Sequence, residues 1–301
     1  MSRIIVIGSS NTDMVIKSKK LPVPGETLLG GTFIMNPGGK GANQAVAAAR
    51  LGGKVTFITK TGNDMFGSEA VSLFDKENID TGYVVKDIIN PSGVALINVD
   101  ENGENCIVVA SGTNGTLSAG DIKGEIFETD RADLFLMQLE IPVATVEFVA
   151  RKAAGKGNRV ILNPAPACQL SDNLLGCLFL ITPNETEAEL LTGIKVHDLV
   201  SAEKAATKLF EKGVKNVIIT MGSLGACLFS GGISEMIPVA KVKAVDTTAA
   251  GDVFNGALAV AISEGKEMIE AVVFANKAAS ISVTRMGAQA SAPYRKEVSS
   301  I

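Results

Sequence analysis

The sequence is poor in the side chains that usually recognise nucleic acids. Its 301 residues include no Trp and two Tyr, and aromatic residues make up 5% of the chain. The formal net charge is −4, and no long run of Lys and Arg occurs. Nucleic-acid binding normally needs a basic face or aromatic rings on which bases stack. The composition therefore argues against a nucleic-acid partner.

Soft metal ligands are also scarce. The chain has one histidine, His197, and four cysteines that form no C-x-x-C pair. Zinc sites and redox motifs need such spacing, so neither is expected. His197 lies in a segment that is expected to connect two elements at the surface, so it should be exposed. A histidine in such a position does not indicate the catalytic triad of a Ser-His-Asp hydrolase. Scattered cysteines in a chain of this length are typical of a reducing cytosol.

Long hydrophobic runs are missing as well. The apolar run at residues 4–7 is too short for a signal peptide. The charge-free stretch 253–263 is much shorter than the ~20 residues that a membrane helix needs. We therefore expect a soluble, cytoplasmic protein without membrane contact.

Short apolar runs alternate with helical patterns along most of the chain. Such alternation predicts a three-layer α/β/α fold with a mostly parallel central sheet, in one domain over residues 1–301. Two further runs, 226–229 and 234–238, have no helix between them and predict antiparallel strands at one edge. The other predicted strands are 3–7, 55–59, 134–139, 160–163, 178–182 and 217–220. The predicted helices are 41–51, 67–78, 144–154, 185–191, 202–212, 250–264 and 267–284.

Two segments, at about 14–35 and 93–110, break the alternation and predict a small β-sheet lid. The second contains a hairpin signal, with the turn residues 100–104 between two strands. Its strands are apolar on both faces, a pattern that a flap surrounded by water could not hold. We expect one face to cover a ligand and the other to pack on a second copy, which would make a homodimer. The alternative is that the hairpin packs on its own domain.

Neither of the common glycine-rich nucleotide motifs is present. Only Gly8 follows the first strand, so the G-x-G-x-x-G of a dehydrogenase is missing. The segment 36–45 does not match a P-loop. Its glycines would instead let a polyol lie against the backbone, with Asn43 on the first turn of the next helix. A glycine-rich helix start explains the same residues.

Polar residues follow several predicted strands, and the carboxyl ends of parallel strands are where ligands bind. Asn11, Asp13 and Glu140 there could hold sugar hydroxyls, although turn capping explains the first two as well. Asn184 and Glu187 lie one turn apart. Glu187 could hold the water shell of Mg²⁺, or the pair could be an ordinary helix cap. The glycines of 220–225 would let a flat base approach the main chain, or form only a tight turn.

The most informative run is DTTAAGD at residues 246–252, followed at once by an apolar helix. Small residues at a helix start expose backbone N–H groups that favour an anion. Asp252 lies among them, where a carboxylate can take a proton from an attacking hydroxyl. An anion hole beside a base indicates phosphoryl transfer to an alcohol. Taken alone, a capped helix with Asp252 in its first turn is an equally good interpretation.

Three motifs, in order and spacing, resemble those of the ribokinase-like carbohydrate kinases. They are GGKGAN at residues 38–43, Asn184-x-x-Glu187, and the run 246–252, and the resemblance covers essentially the whole chain. It implies an ATP-dependent kinase that phosphorylates D-ribose at O5. Related kinases act on fructose, deoxyribose or a nucleoside such as pseudouridine. A non-catalytic sugar or nucleotide sensor on the same fold is an alternative of another class.

The resemblance also implies roles for individual residues. Asp252 would be the general base, with the anion hole at Ala249, Ala250 and Gly251. The sugar contacts would be Asn11, Asp13, Gly39, Lys40, Gly41, Asn43, Glu140 and Asp252. The nucleotide side would comprise Asn184, Glu187, Thr220, Gly222, Gly225, Gly251 and Asn276, with Glu187 near Mg²⁺ through water. An activating monovalent cation, K⁺, would be held by Asp246, Thr248, Ser282, Arg285, Gly287 and Ser291, and Arg285 and Gly287 would use their carbonyls.

Overall fold

The computed structural model describes residues 2–128 and 133–299. The strands are β1 (Ile4–Ile7), β2 (Asn11–Lys17), β3 (Thr32–Gly38), β4 (Val55–Ile58), β5 (Lys60–Gly62), β6 (Val85–Asp87), β7 (Gly93–Val99), β8 (Asn105–Ala110), β9 (Leu134–Met137), β10 (Arg159–Leu162), β11 (Leu180–Ile181), β12 (Asn216–Thr220), β13 (Ala226–Ser230) and β14 (Ile233–Ile237). The α-helices are α1 (Lys40–Arg50), α2 (Met65–Lys76), α3 (Val143–Gly155), α4 (Asp172–Leu175), α5 (Glu185–Thr192), α6 (Leu199–Glu211), α7 (Ala250–Ser263), α8 (Met268–Ser282) and α9 (Arg295–Ser299).

The central sheet has eight strands in the order β14-β13-β12-β11-β10-β9-β1-β4. The strands from β12 to β4 are parallel, and β13 and β14 are antiparallel. Helices cover both faces of the sheet, which confirms the predicted three-layer fold and its antiparallel edge. Among the described residues, no helix combines the length and the apolar character that crossing a membrane requires.

Each face of the sheet has its own core, because successive side chains of a strand point to opposite faces. In β1, Ile5 and Ile7 belong to the core that contains side chains of α3, α5 and α6. Ile4 and Val6 belong to the core built with α1, α7 and α8. A strand that is buried on both faces needs an apolar residue at every position, which explains the continuous apolar runs in the sequence.

The structure differs from the sequence prediction mainly at short elements. Strand β11 has two residues instead of the expected 178–182, although the amides of Phe179 and Thr182 still bond to carbonyls of β10. Helices α4 and α9, with four and five residues, were not predicted. Elements of about one turn are too short to show a helical period.

The lid is a four-stranded sheet in the order β3-β2-β7-β8. Its first two strands extend beyond the expected 14–35, from Asn11 to Gly38. The pairing places Asp13, Ala95 and Val109 on one face, and Leu96 and Val108 on the other. Large apolar side chains are exposed on both faces, namely Ile34, Ile107 and Val109 on the Asp13 face and Phe33, Leu96 and Val108 on the opposite face.

Helices α1 and α7 cross closely, and this crossing brings the start of α1 to the start of α7. Gly256 makes the approach possible. A Cβ added there would lie 2.7 Å from the carbonyl oxygen of Gln44 and 2.8 Å from the Cβ of Ala47. Contacts that short cannot form without moving one helix.

We predict that Gly256→Ala destabilises the protein by about 1–3 kcal/mol, because the added methyl group overpacks the α1–α7 crossing. This outcome is opposite to helix propensity, which favours alanine over glycine by about 1 kcal/mol. Denaturant unfolding of the purified variant measures the change. Gly155→Ala, at the end of α3 with no atom within 4 Å of the added Cβ, is the matched control and should not destabilise. Equal stability of Gly256→Ala and wild type would contradict the packing argument.

Candidate active site

Asp252 lies in the first turn of α7 and is 5% exposed, whereas the preceding Gly251 is exposed. Ala249 precedes the helix with φ 61° and ψ 13°, in the left-handed region, so the chain enters the helix through a sharp turn. Nothing lies within 4 Å of a Cβ added at Gly251. Gly251 therefore faces open space, whereas the side chain of Asp252 beside it is buried.

The first amides of a helix have no acceptor within the helix. In α7 the amide of Ala250 donates to the carbonyl of Thr247 at 3.2 Å, so this N–H already has a partner. The expected anion hole at residues 249–251 thus rests mainly on Gly251 and on the open space beside it. No side chain caps this helix end, which leaves the positive end of its dipole available to an anion.

The carboxylate of Asp252 is held by two amides from the first turns of α1. Asn43 Nδ2 donates to Oδ2 at 2.9 Å, and Gln44 Nε2 donates to Oδ1 at 2.9 Å. Burial raises the pKa of Asp252, and nearby Lys40 and the two amides act in the opposite direction. A buried carboxylate with partners of this kind is a candidate general base.

Lys40 interacts electrostatically with three carboxylates of the site. Burial alone would lower the pKa of Lys40, but Asp252, Glu140 and Glu187 together raise it, so Lys40 stays a cation. Its backbone amide donates to Glu140 Oε2 at 2.9 Å. The start of α1 therefore supplies both a positive charge and amide donors to the strand ends around it.

Asp13 and Glu140 lie close enough to interact. The sequence predicted Asp13 at the end of the first strand, but it lies within lid strand β2, and only Glu140 follows a strand of the central sheet. Burial, and then the charge of Glu140, raise the pKa of Asp13 to about 6. Asn11 Oδ1 accepts a hydrogen bond from Asn114 Nδ2 at 2.7 Å. Asn114 was not predicted, because it lies in a short 3₁₀ segment far away in the sequence.

In the glycine-rich segment, Gly41 is required for chain packing, whereas Asn43 has a side chain that could contact a ligand. A Cβ at Gly41 would lie 2.6 Å from backbone atoms of Gly8 and Ser9, so chain packing requires glycine at this position. Asn43, in contrast, has a buried Oδ1 with no hydrogen-bond partner among the described residues. A hydroxyl donor would satisfy this oxygen, so Asn43 fits a polyol.

Of the residues expected on the nucleotide side, Asn184, Thr220, Gly222 and Gly225 lie at or after the ends of β11 and β12. Gly251 lies in the first turn of α7, and Asn276 lies in α8. Asn184 caps α5 and exchanges hydrogen bonds with Glu187, at 2.8 and 2.9 Å, so the capping interpretation of this pair is correct. Asn184 is also paired with Thr220 in a parallel bridge. A second group of expected residues meets at Ile237, whose carbonyl accepts from Asn276 Nδ2 at 3.1 Å and contacts Gly225.

The residues expected around a monovalent cation lie in the segment before α7 and in the segment that begins at the last residue of α8, Ser282. Asp246 accepts from the amide of Thr248 and from the amide of Gly287, both at 2.9 Å. These hydrogen bonds lower the pKa of Asp246 despite its partial burial. The hydroxyls of Ser282 and Ser291 donate to carbonyls within their own turns, which leaves their oxygens as acceptors. Arg285 pairs with Glu297.

No group of three His, Cys, Asp or Glu side chains with metal-binding geometry occurs in residues 2–128 and 133–299. His197 is exposed and lies 3.6 Å from Asp198, at the cap of α6, as its polar surroundings predicted.

Sequence reasoning missed three buried amides behind Asp252, namely Gln44, Gln138 and Asn163, which form a hydrogen-bonded chain. One signal for Gln44 was available. It is a polar residue directly before the run of Ala and Val at residues 45–49 in α1. No comparable signal marks Gln138 or Asn163, because their partners are far away in the sequence.

Comparison with known proteins agrees with this geometry. A model of the pfkB family carbohydrate kinases matches residues 1–295. A ribokinase of Haemophilus influenzae is 47% identical, over 98% of this chain and 96% of its own length. A deoxyribokinase of Salmonella typhi is 38% identical over 96% and 95%, respectively. A solved structure of Arabidopsis thaliana ribokinase complexed with ribose and ATP is 33% identical, with a TM-score of 0.92 over 99% of this chain and 98% of that one. The chain belongs to the pfkB family of carbohydrate kinases.

Proposed function

We propose that this protein transfers the γ-phosphoryl group of ATP to O5 of D-ribose, giving ribose 5-phosphate and ADP. The observation that carries the proposal is the buried Asp252 carboxylate beside the exposed, uncapped start of α7. In the proposed step, the Asp252 carboxylate takes the proton of the ribose O5 hydroxyl, while the ribose O5 oxygen forms a bond to the γ-phosphorus. The bond from that phosphorus to the bridging oxygen of ADP breaks. Positioning and charge stabilisation account for most of the catalysis in such transfers.

The sugar is proposed to bind between the lid and the start of α1. The partnerless Oδ1 of Asn43 supports this placement, because it needs a donor such as a sugar hydroxyl. Asp13 lies on one face of the lid and interacts with Glu140 at the end of β9. The residues proposed to contact the sugar are Asn11, Asp13, Gly39, Lys40, Gly41, Asn43, Glu140 and Asp252.

The nucleotide is proposed to lie along the ends of β11 and β12, with its phosphates directed to Gly251. Mg²⁺ would neutralise phosphate charge when bound. Glu187 fits a role near the water shell of Mg²⁺, because its carboxylate lies within electrostatic range of Lys40 and Asp252, although Oε2 also caps α5. The residues proposed for this side are Asn184, Glu187, Thr220, Gly222, Gly225, Gly251 and Asn276.

A monovalent cation such as K⁺ is proposed to bind between the loops of residues 246–248 and 283–291. The oxygen atoms there fit a hard cation, since carboxylate, hydroxyl and carbonyl oxygens are its preferred ligands. Asp246 joins the two loops through the amides of Thr248 and Gly287, directly before the turn at Ala249. Asp246, Thr248, Ser282, Arg285, Gly287 and Ser291 are the proposed ligands. With a cation bound, these two segments would hold the backbone of residues 249–251 in one conformation.

We also propose that the lid mediates a homodimer and that the protein acts in the cytoplasm. Exposed apolar side chains cover both lid faces, with Val108 63% and Ile107 52% exposed. A contiguous apolar surface of this kind is seldom left in contact with water. A bound sugar can cover only the part of one face near Asp13, so a second copy of the chain is the proposed cover for the rest.

Replacement of Asp252 by Asn should keep the fold and the affinity for ATP but lower kcat by about 10²–10⁴-fold, because the general base is lost. Steady-state kinetics and nucleotide titration measure the two effects. Asp172→Asn, which makes the same change in the exposed first turn of α4, is the control and should retain normal turnover. Near-normal turnover by Asp252→Asn would refute the assignment of the base.

The substrate assignment is tested by measuring ADP release with ribose, deoxyribose, fructose and pseudouridine, with K⁺ or with tetramethylammonium. We expect ribose in the presence of K⁺ to give the highest kcat/KM. Tetramethylammonium should reduce the rate, because it is too large for an oxygen-lined loop. A higher kcat/KM for another sugar would replace ribose as the substrate, and equal rates with both cations would rule out the cation site.

The lid dimer is tested by light scattering of wild type and of two charged variants. Val108→Glu alters the face opposite Asp13, and Ile107→Glu alters the Asp13 face. We expect the wild type to be a dimer. The variant whose glutamate lies on the lid face that contacts the second copy should be a monomer, since burying an unpaired carboxylate is strongly unfavourable. A monomeric wild type, or two variants that both remain dimers, would contradict the proposal.

A further inference from the structure

Three buried amide side chains form a continuous chain of hydrogen bonds that ends on Asp252. Gln44 Nε2 donates to Asp252 Oδ1 at 2.9 Å and to Asn163 Oδ1 at 3.0 Å. Gln138 Nε2 donates to Gln44 Oε1 at 2.6 Å. Gln44 and Gln138 are completely buried and Asn163 is nearly so. The proposed reaction assigns no role to any of the three.

The neighbours of Gln44 determine which end of its amide group faces Asp252. Asn163 directs its Nδ2 to the carbonyl of Thr182 at 3.3 Å, so its Oδ1 faces Gln44. Gln138 presents an N–H donor from the other side. If the Gln44 amide were reversed, its oxygen would face two acceptors and its NH₂ group would face a donor. Such mismatches between buried polar groups are costly, so one orientation is strongly favoured.

The burial of Gln138 leaves one of its polar atoms without a partner in the part of the chain that the structure describes, and this unfavourable arrangement indicates a specific role for the residue. Its Oε1 is buried and has no hydrogen-bond partner among the described residues. A Cβ added at Gly8 would lie 2.2 Å from this oxygen, so Gln138 fits here only because residue 8 is glycine. A buried, unsatisfied oxygen is unfavourable, and an apolar side chain of similar size would avoid it. What the glutamine provides in this position, and an apolar residue would not, is the donor to Gln44.

We propose that Gln44 is a positioning residue for the catalytic base, and that Gln138 and Asn163 fix its orientation so that it always presents a donor to Asp252. This inference rests on the proposed function, in which Asp252 takes the proton of the sugar hydroxyl. Gln44 acts by holding one carboxylate oxygen, so that the other points towards the substrate side, where Asn43 lies.

A second branch of the same network reaches the residue before the base. The hydroxyl of Thr182 donates to Asn255 Oδ1 at 2.6 Å, and Asn255 Nδ2 donates to the carbonyl of Gly251 at 2.8 Å. Asn163 and Asn255 thus meet at Thr182, directly after β11. The side chain of Asp252 and the backbone of Gly251 are both braced from this strand end, which keeps the base and the helix start in a fixed relation.

The test compares the pH dependence of kcat in wild type and Gln44→Met, a change that removes the donor with little change in volume. Loss of one hydrogen bond to a charged group predicts a kcat about 10- to 100-fold lower. The acid limb of the kcat profile should move to higher pH by about one unit, because an unsupported carboxylate binds its proton more tightly. KM for ATP should change little. The charged groups around Asp252, namely Lys40, Glu140 and Glu187, are the same in both proteins.

Two further variants separate positioning from simple loss of stability. Gln138→Met leaves every direct contact of Asp252 in place, and we expect a smaller shift of the acid limb in the same direction. It also carries the test if Gln44→Met does not fold. Asn216→Leu removes a buried amide at the opposite end of β12, where it bonds to Phe179 and Ser230, and should lower stability without moving the acid limb.

The outcomes distinguish this inference from the proposed function. If Asp252→Asn is inactive while Gln44→Met and Gln138→Met keep the wild-type acid limb, the positioning role is wrong and the base assignment stands. If Asp252→Asn keeps near-normal turnover, the base assignment itself is wrong. If Asn216→Leu moves the acid limb as far as Gln44→Met does, the effect reflects general destabilisation and the inference is overturned.

Discussion

The constraint on which the site depends is the burial of the Asp252 carboxylate at the start of α7. A buried charge is strongly unfavourable unless donors or an opposite charge surround it. The donors come from α1, and they reach Asp252 because Gly256 allows the two helices to approach. The same helix start carries Lys40, so one packing contact supplies hydrogen bonds and positive charge together.

The electrostatics of the site follow from this arrangement. Carboxylates from the lid, from the end of β9 and from the starts of α5 and α7 all lie within electrostatic range of one another or of Lys40. Burial raises the pKa of Asp13 to about 6, so this group changes its charge in the range between mildly acidic and neutral solution. Because the pKa of Asp13 is higher in the folded state than in the unfolded state, protonation of this group favours folding. This contribution to stability is fully present at pH values below the ordinary pKa and is lost as the pH rises through about 6. The ionised form at neutral pH accepts hydrogen bonds through both oxygens and donates none, whereas the protonated form also donates one.

Much of this arrangement could be predicted from local patterns. The continuous apolar runs predicted a covered parallel sheet, and the positions of Glu140 and Asn184 after such runs predicted that both lie at the carboxyl edge of that sheet. The small residues before Asp252 predicted an open helix start. These predictions succeeded because each depends on residues that are adjacent in the sequence. The residue roles themselves came from the resemblance to a family and remain proposals.

Other features could not be predicted, because they depend on contacts between distant segments. The need for glycine at position 41 arises from the backbone of Gly8 and Ser9, which the sequence does not place nearby. The left-handed conformation of Ala249 is unusual for a residue with a side chain. Gln138 and Asn163 follow ordinary strands, and only the order of strands in the sheet shows that both point to Gln44.

The parallel alignment of β9 and β10 has a consequence for how an active molecule is assembled. Met137 is paired with Leu162, so the next residues, Gln138 and Asn163, lie side by side. A shift of one residue between these strands would invert the alternation of side chains and separate the two amides. A folding intermediate with such a slip could bury similar apolar area and still lack a supported carboxylate. If the alignment of β9 and β10 is corrected last during refolding, the chain would therefore regain its compactness and secondary structure before it regains enzymatic activity.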